Sequence, residues 1–116
     1  MKFSSAICLS IGVSVLALAP VITQAAEGDA AAGKNKTSMC AGCHGIPGYK
    51  TAYPVTYSVP KLGGQHAAYL VKALQGYKSG DRMHPSMRAI AAGLSDQDMA
   101  DLAAYYASTA NHSASK

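Results

Sequence analysis

The five residues Cys40-Ala41-Gly42-Cys43-His44 constrain this chain more than any other stretch. Residues three and four apart lie on one face of a helical turn, so both thiols and the imidazole can face one flat group. The small residues between the cysteines let that group approach the backbone closely. Cys-x-x-Cys-His is the arrangement that attaches a c-type haem. The motif therefore predicts covalent haem c at Cys40 and Cys43, with His44 as the proximal iron ligand.

Three other uses of these residues fit the sequence less well. A thioredoxin-like Cys-x-x-Cys needs a βαβ context, whereas this pair follows a helical pattern and precedes a loop rich in Gly and Pro. A zinc site normally takes four ligands, and no second Cys/His pair stands at a usable spacing downstream. A plain disulfide between Cys40 and Cys43 would leave His44 without a role.

The N-terminal segment has the pattern of a secretion signal. Lys2 supplies a positive charge, Ala6–Ala19 is an almost uncharged apolar run, and small residues precede a cleavage point. We expect residues 1–25 to be removed after Ala25, with Ala26 as the alternative, and the mature protein to reach the periplasm. An uncleaved membrane anchor is the other reading, but the run is short for a span of about 20 residues.

Export agrees with the cysteine usage of the remaining domain, residues 26–116. Cys8 leaves with the leader, so only the two cysteines of the motif remain. The domain has about 90 residues and hence a limited apolar core. It contains no Trp and, without Phe3, no Phe, so a buried haem would supply the missing aromatic bulk.

The charge of the chain points to no particular class of partner. Removing Lys2 with the leader leaves nine of the ten Lys and Arg residues against six Asp and Glu residues. This mild positive excess comes without basic runs or basic-aromatic alternation, so it does not indicate nucleic-acid binding.

Caps and apolar spacing predict an all-α domain. Four local patterns each mark a helix. They are an alanine-rich run with acidic residues at its start, an apolar stripe closed by Gly80, a segment bounded by Pro85 and Gly93, and a Ser–Asp capping box. We predict about four helices, over Glu27–Met39, Gln65–Ser79, Pro85–Gly93 and from Ser95 onwards. Residues 45–64 are rich in Pro and Gly, which predicts a long loop around one haem edge, with an edge hairpin over Ala52–Val59 as the alternative.

The second face of a haem held by His44 decides the chemistry. A methionine thioether gives a closed six-coordinate iron suited to electron transfer, whereas an open face permits binding of small gases. Met39 is too close to the motif to reach the far face, and Met99 belongs to the apolar stripe of the last helix. The residues alone leave three candidates for this position, namely Met83, Met87 and His84.

Further stretches of the chain match one known pattern. They are Cys40–Gly45, Pro60–Gln65, Tyr69-Leu70, Tyr77, Gly80, Arg82, Met87, Leu94–Asp96 and Leu102–Tyr106. With these residues the chain resembles the class I c-type cytochromes, in particular short bacterial periplasmic cytochromes related to one half of the dihaem tandem type. The resemblance implies a small all-α cytochrome c fold around one covalently attached haem.

The resemblance also implies roles for individual residues. Met87 would be the distal iron ligand, and the carbonyl of Pro60 would accept a hydrogen bond from His44, which fixes the orientation of a ligand imidazole. Gly33 would be the crossing point of the first and last helices, near Tyr105 or Tyr106.

The expected function is that of a monohaem one-electron carrier, not an enzyme. Its partners would be larger redox proteins such as an oxidase, a reductase or a dehydrogenase, with no nucleic acid and no stable membrane insertion once the leader is gone. Two other functions stay open, a cytochrome subunit of a dehydrogenase complex and a gas-binding haem protein with an open sixth position.

Overall fold

The structure is a computed structural model that describes residues 26–52 and 55–109. Over these residues the chain forms five helices and no β-strand, in the order α1 Ala30–Asn35, α2 Ser38–His44, α3 Ala67–Ser79, α4 Pro85–Ala92 and α5 Asp96–Ser108. In this part of the chain no helix has the length and apolar character needed to cross a bilayer. The expected leader, residues 1–25, lies outside the described residues.

The last helix, α5, is the centre of the fold, and its start confirms the predicted capping box. The Ser95 hydroxyl accepts a hydrogen bond from the Asp98 backbone N–H at 3.1 Å, and the Asp98 carboxylate accepts one from the Ser95 N–H at 2.9 Å. These bonds satisfy N–H groups that a helix start leaves free. Of the predicted apolar stripe Met99, Leu102, Ala103 and Tyr106, the first three residues are buried and Tyr106 is half-buried. Helices α1 and α3 pack on α5, and α4 packs on α3.

The prediction of one first helix over Glu27–Met39 was wrong, and this is why five helices form instead of about four. The chain turns at Lys36 and Thr37 between α1 and α2. The Thr37 hydroxyl donates a hydrogen bond to the Lys34 carbonyl at 2.9 Å, which occupies an acceptor at the end of α1. The Lys36 ammonium meanwhile pairs with carboxylates of α5.

Helix α1 crosses α5 at Gly33, which confirms the crossing point implied for this residue, and Gly28 just before α1 makes a second close approach to α5. A Cβ atom on Gly33 would overlap the Asp101 carbonyl and lie 2.9 Å from the Tyr105 Cβ atom. A Cβ atom on Gly28 would overlap the Ala100 carbonyl in the same way. Only glycine therefore lets the two backbones come this close.

Beside this crossing, the buried carboxylate of Asp101 ties the N-terminal segment to α5. Its side chain accepts hydrogen bonds from the Asp29 backbone N–H at 2.9 Å, the Gln97 amide at 2.8 Å and the Lys36 ammonium at 2.7 Å. Residue Asp101 is only 3% exposed, and a carboxylate so buried needs partners of this kind. Two of these donors, Asp29 and Lys36, flank α1 and so fix where α1 begins and ends against α5.

The remaining elements position the cofactor region. Helix α3 ends at Gly80, whose φ of +93° is the left-handed cap that the sequence predicts. Pro85 opens α4 and Gly93 follows it, also as predicted. The described residues between α2 and α3 run as a loop, with one antiparallel bridge between Lys50 and Ser58. The hairpin alternative is thus present only as a short local pairing within the loop.

Candidate functional site

The Cys-x-x-Cys-His motif lies on α2, so both thiols and the imidazole sit within two helical turns. Burial raises the pKa of the Cys40 thiol, while the neighbouring Tyr106 hydroxyl opposes this shift as a hydrogen-bond partner. Cys43 is exposed. Cys40 and Cys43 are not joined to each other by a disulfide bond.

The ring of His44 is held in one orientation by the loop that follows. Its Nδ1 lies 2.8 Å from the Pro60 carbonyl oxygen. A carbonyl only accepts, so Nδ1 carries the proton and donates, and the Nε2 lone pair is left free. This is the hydrogen bond that the resemblance implies, and it leaves an imidazole ready to bind a metal through Nε2.

A cavity of about 680 Å³ opens beside these groups. The motif residues form one part of its wall, and apolar side chains from α3, α4, α5 and the link between α4 and α5 form much of the rest, including Leu70, Leu74, Ile90, Leu94 and Leu102. Protein interiors are packed nearly as densely as organic crystals, and voids larger than a water molecule are few. The lining therefore fits a large and mostly apolar group held by two thiols and one imidazole, which are the properties of haem c.

The positions of the methionines relative to the cavity distinguish the candidates that the sequence left open. Met87 is half-buried and lines the cavity from α4. Met83 is 83% exposed and lies outside the lining formed by the described residues. Met99 is fully buried in the core, as its place in the apolar stripe predicted.

The third candidate, His84, also lines the cavity but has other contacts. Its Nδ1 accepts a hydrogen bond from the Met87 backbone N–H at 3.3 Å. Its ring packs against Tyr57 and Tyr77, with ring centroids 4.9 and 6.3 Å away. The imidazole is thus part of the wall that supports α4.

On the cavity wall Arg82 contacts two tyrosines, and these contacts were not predicted from the sequence. Arg82 donates a hydrogen bond to the Tyr69 hydroxyl at 3.1 Å, and its guanidinium lies 4.9 Å from the centre of the Tyr77 ring. The two tyrosines lie eight residues apart, on one face of α3, and Arg82 follows shortly after that helix. The eight-residue spacing of the tyrosines was the signal available in the sequence. The sequence does not show that the chain after α3 folds back so that Arg82 reaches them.

Known proteins resemble this chain over most of its length. A family model described as Cytochrome c matches residues 25–110. Cytochrome c4 of Pseudomonas aeruginosa is 40% identical over 107 residues, which cover 92% of this chain and 48% of that protein. Cytochrome c-554(548) of Halomonas halodenitrificans is 45% identical over 84 residues, which cover 70% of this chain and 96% of that protein.

A solved structure agrees with the sequence matches. The crystal structure of reduced recombinant cytochrome c4 from Pseudomonas stutzeri matches with a TM-score of 0.57 and 40% identity, covering 71% of this chain and 46% of that one. This chain spans about half the length of the cytochrome c4 relatives it matches. From the five helices, the thiol-lined cavity and these matches together, we conclude that the chain belongs to the cytochrome c family, whose class I bacterial members are its relatives and whose cofactor is covalently bound haem c.

Proposed function

We propose that this chain carries single electrons between larger redox proteins of the bacterial periplasm, with one covalently bound haem and no reaction on a substrate. The observation that supports this best is that His44 and Met87 both line the cavity, whereas Met83 faces solvent. An imidazole and a thioether together close both axial positions of an iron and raise its reduction potential, which suits electron transfer.

Each residue of the site has a separate part in this proposal. The thiols of Cys40 and Cys43 would hold the cofactor through two thioether bonds, and His44 Nε2 and the Met87 sulfur would bind its iron. The Pro60 carbonyl keeps the His44 ring oriented and its Nδ1 protonated. When bound, haem supplies one iron that accepts and releases a single electron.

The apolar wall supports the same function. Leu70 and Leu102 are buried, and other leucine and isoleucine side chains continue the lining around them. Such a wall limits access of water and gives the site a low local dielectric, which is one of the means by which a protein sets a haem potential. A rigid wall also changes little when the charge of the site changes by one electron.

Export and docking complete the proposal. Residues 1–25 act as a cleaved signal, and residues 26–116 form the periplasmic domain. Lys34 and Lys61 line a surface groove beside His44, where positive charge speeds docking to acidic redox proteins.

Electron-transfer rates with such partners should then fall as salt increases, because salt screens exposed charges. Rates independent of salt would contradict this steering.

The proposed closed coordination is tested by adding carbon monoxide to the reduced native protein. We expect no change in the visible spectrum, because the Met87 sulfur already occupies the sixth position. A spectral shift under native conditions would overturn the proposal in favour of a gas-binding protein with an open position.

The number of haems and the mode of action have their own measurements. The mass of the purified mature protein should exceed that of residues 26–116 by one haem, and an excess of two haems would contradict the monohaem assignment. A flavoprotein that stays bound through purification would instead favour a cytochrome subunit of a dehydrogenase complex.

A further inference from the structure

We propose that His84 is the residue that positions Met87 for iron binding, by capping the helix turn from which Met87 projects. This inference rests on the proposed ligation by His44 and Met87. It gives His84 a defined role that differs from that of an iron ligand.

The first turn of α4 shows how the cap is built. His84 is the N-cap residue, with an extended backbone, and Pro85 is the first helical residue. Met87 is therefore the third helical residue, whose backbone N–H has no partner within the helix. His84 Nδ1 accepts a hydrogen bond from this N–H at 3.3 Å. The hydrogen bond thus holds the backbone of Met87, the residue that lines the cavity.

Histidine is an unusual choice for this position, because N-cap side chains are mostly Asn, Asp, Ser or Thr. The contacts of the ring give a reason. Tyr57 of the long loop lies 4.9 Å from the His84 ring and Tyr77 of α3 lies 6.3 Å from it, measured between ring centroids. The ring is thus held from two sides, and its Nδ1 stays directed at the start of α4.

The cap should control how often the Met87 sulfur is in place. Helix α4 has only eight residues, and short helices depend on their ends and on packing for stability. If the first turn frays, the backbone of Met87 moves and the sulfur leaves the iron more often. A competing ligand then binds more tightly, because its apparent affinity rises with the fraction of protein whose sixth position is open.

The test is a titration of the oxidised, haem-loaded protein with imidazole, which competes with the methionine sulfur. We expect His84→Ala to bind imidazole about fivefold more tightly than the parent. This factor corresponds to the loss of helix stability that usually follows removal of an N-cap side chain. His84→Asn restores a strong N-cap acceptor without the ring, so its affinity should stay within about twofold of the parent.

A matched control comes from the other histidine that precedes a helix. His66 is the N-cap residue of α3, and within the described chain its side chain makes no capping hydrogen bond. His66→Ala should therefore leave the affinity for imidazole unchanged. Helical circular dichroism on heating shows whether each variant remains folded at the temperature of the titration.

The outcomes separate this inference from the proposed function. Equal imidazole affinities in the parent and His84→Ala would overturn the inference, and so would an equal gain in His84→Ala and His84→Asn, since the hydrogen bond would then not be the cause. Both results leave the proposed ligation intact. If the parent lacks the near-infrared absorption of a sulfur–iron bond, or if Met87→Ala keeps it, the proposed ligation fails and the inference fails with it.

Discussion

The buried side chain of Asp101 connects the N-terminal segment to α5. Its carboxylate is 3% exposed and holds three donors from different parts of the chain, the Asp29 N–H, the Lys36 ammonium and the Gln97 amide. These donors, with Lys36 first, lower the pKa of Asp101 from 3.8 to about 2. The folded state therefore favours the ionised carboxylate.

The sign of the resulting pH dependence follows from this lowered pKa. The stabilisation by Asp101 is fully present above its ordinary pKa of 3.8 and is lost as the pH falls through the folded value of about 2. We expect Asp101→Asn to lower the thermal midpoint by about 5 to 10 °C at pH 7. The gap between the two proteins should shrink between pH 4 and pH 2 in scanning calorimetry. A gap that stays constant over this range would contradict the account.

At the level of the elements, the crossing of α1 and α5 depends on the missing side chain of Gly33. A Cβ atom there would overlap the Asp101 carbonyl, which belongs to backbone and cannot move away. We expect Gly33→Ala to lower the free energy of unfolding by about 2 to 3 kcal/mol in a denaturant titration, as overpacking of a tight contact does.

Gly76 provides the matched control for this substitution. It also lies in a helix, α3, but a Cβ atom on it would come no closer than 3.4 Å to its nearest neighbour in the described structure, the Arg82 Cβ atom. Gly76→Ala should leave the stability unchanged or raise it by up to about 1 kcal/mol, because alanine is the better helix former. Similar losses in Gly33→Ala and Gly76→Ala would show that the effect does not come from the crossing of α1 and α5.

The helices also show what the sequence could predict. The starts of α4 and α5 and the end of α3 were predicted correctly because Pro85, the Ser95–Asp98 capping box and Gly80 act through neighbours within a few residues. The break between α1 and α2 was not predicted. It depends on Lys36 reaching carboxylates more than sixty residues away, and no local pattern records such a contact.

The candidate site also has parts that the sequence could predict and parts that it could not. The motif on α2 was evident from spacing alone, whereas spacing could not choose between Met83 and Met87. Met87 lies on α4, which packs on α3, whereas Met83 lies in the segment before α4 and is exposed. This difference is a tertiary property. The capping role of His84 was missed because histidine is not a usual N-cap residue.

For the whole molecule, the cavity is as important as the packed core. Few large side chains are buried in the described residues, and Met99 is the largest that is fully buried. A small domain with a cavity of about 680 Å³ lacks the contacts that normally offset the loss of chain entropy. The fold should therefore depend on the group that fills the cavity.

Removing both attachment points tests this dependence. The double variant Cys40→Ala/Cys43→Ala should show a clear loss of helical circular dichroism and no cooperative thermal unfolding, since no covalent bond would hold haem in the cavity and His44 and Met87 alone would bind it only reversibly. The haem-loaded parent is the control. Native helical signal with a sharp transition in the double variant would mean that the protein part folds unaided.

The most direct test of the central claim, an iron held between His44 and Met87, is the near-infrared spectrum of the oxidised protein, where a sulfur–iron bond absorbs weakly. We expect a c-type visible spectrum together with this band, which is lost in Met87→Ala and kept in Met83→Ala. A band that survives in Met87→Ala, or a c-type spectrum without the band in the parent, would contradict the claim.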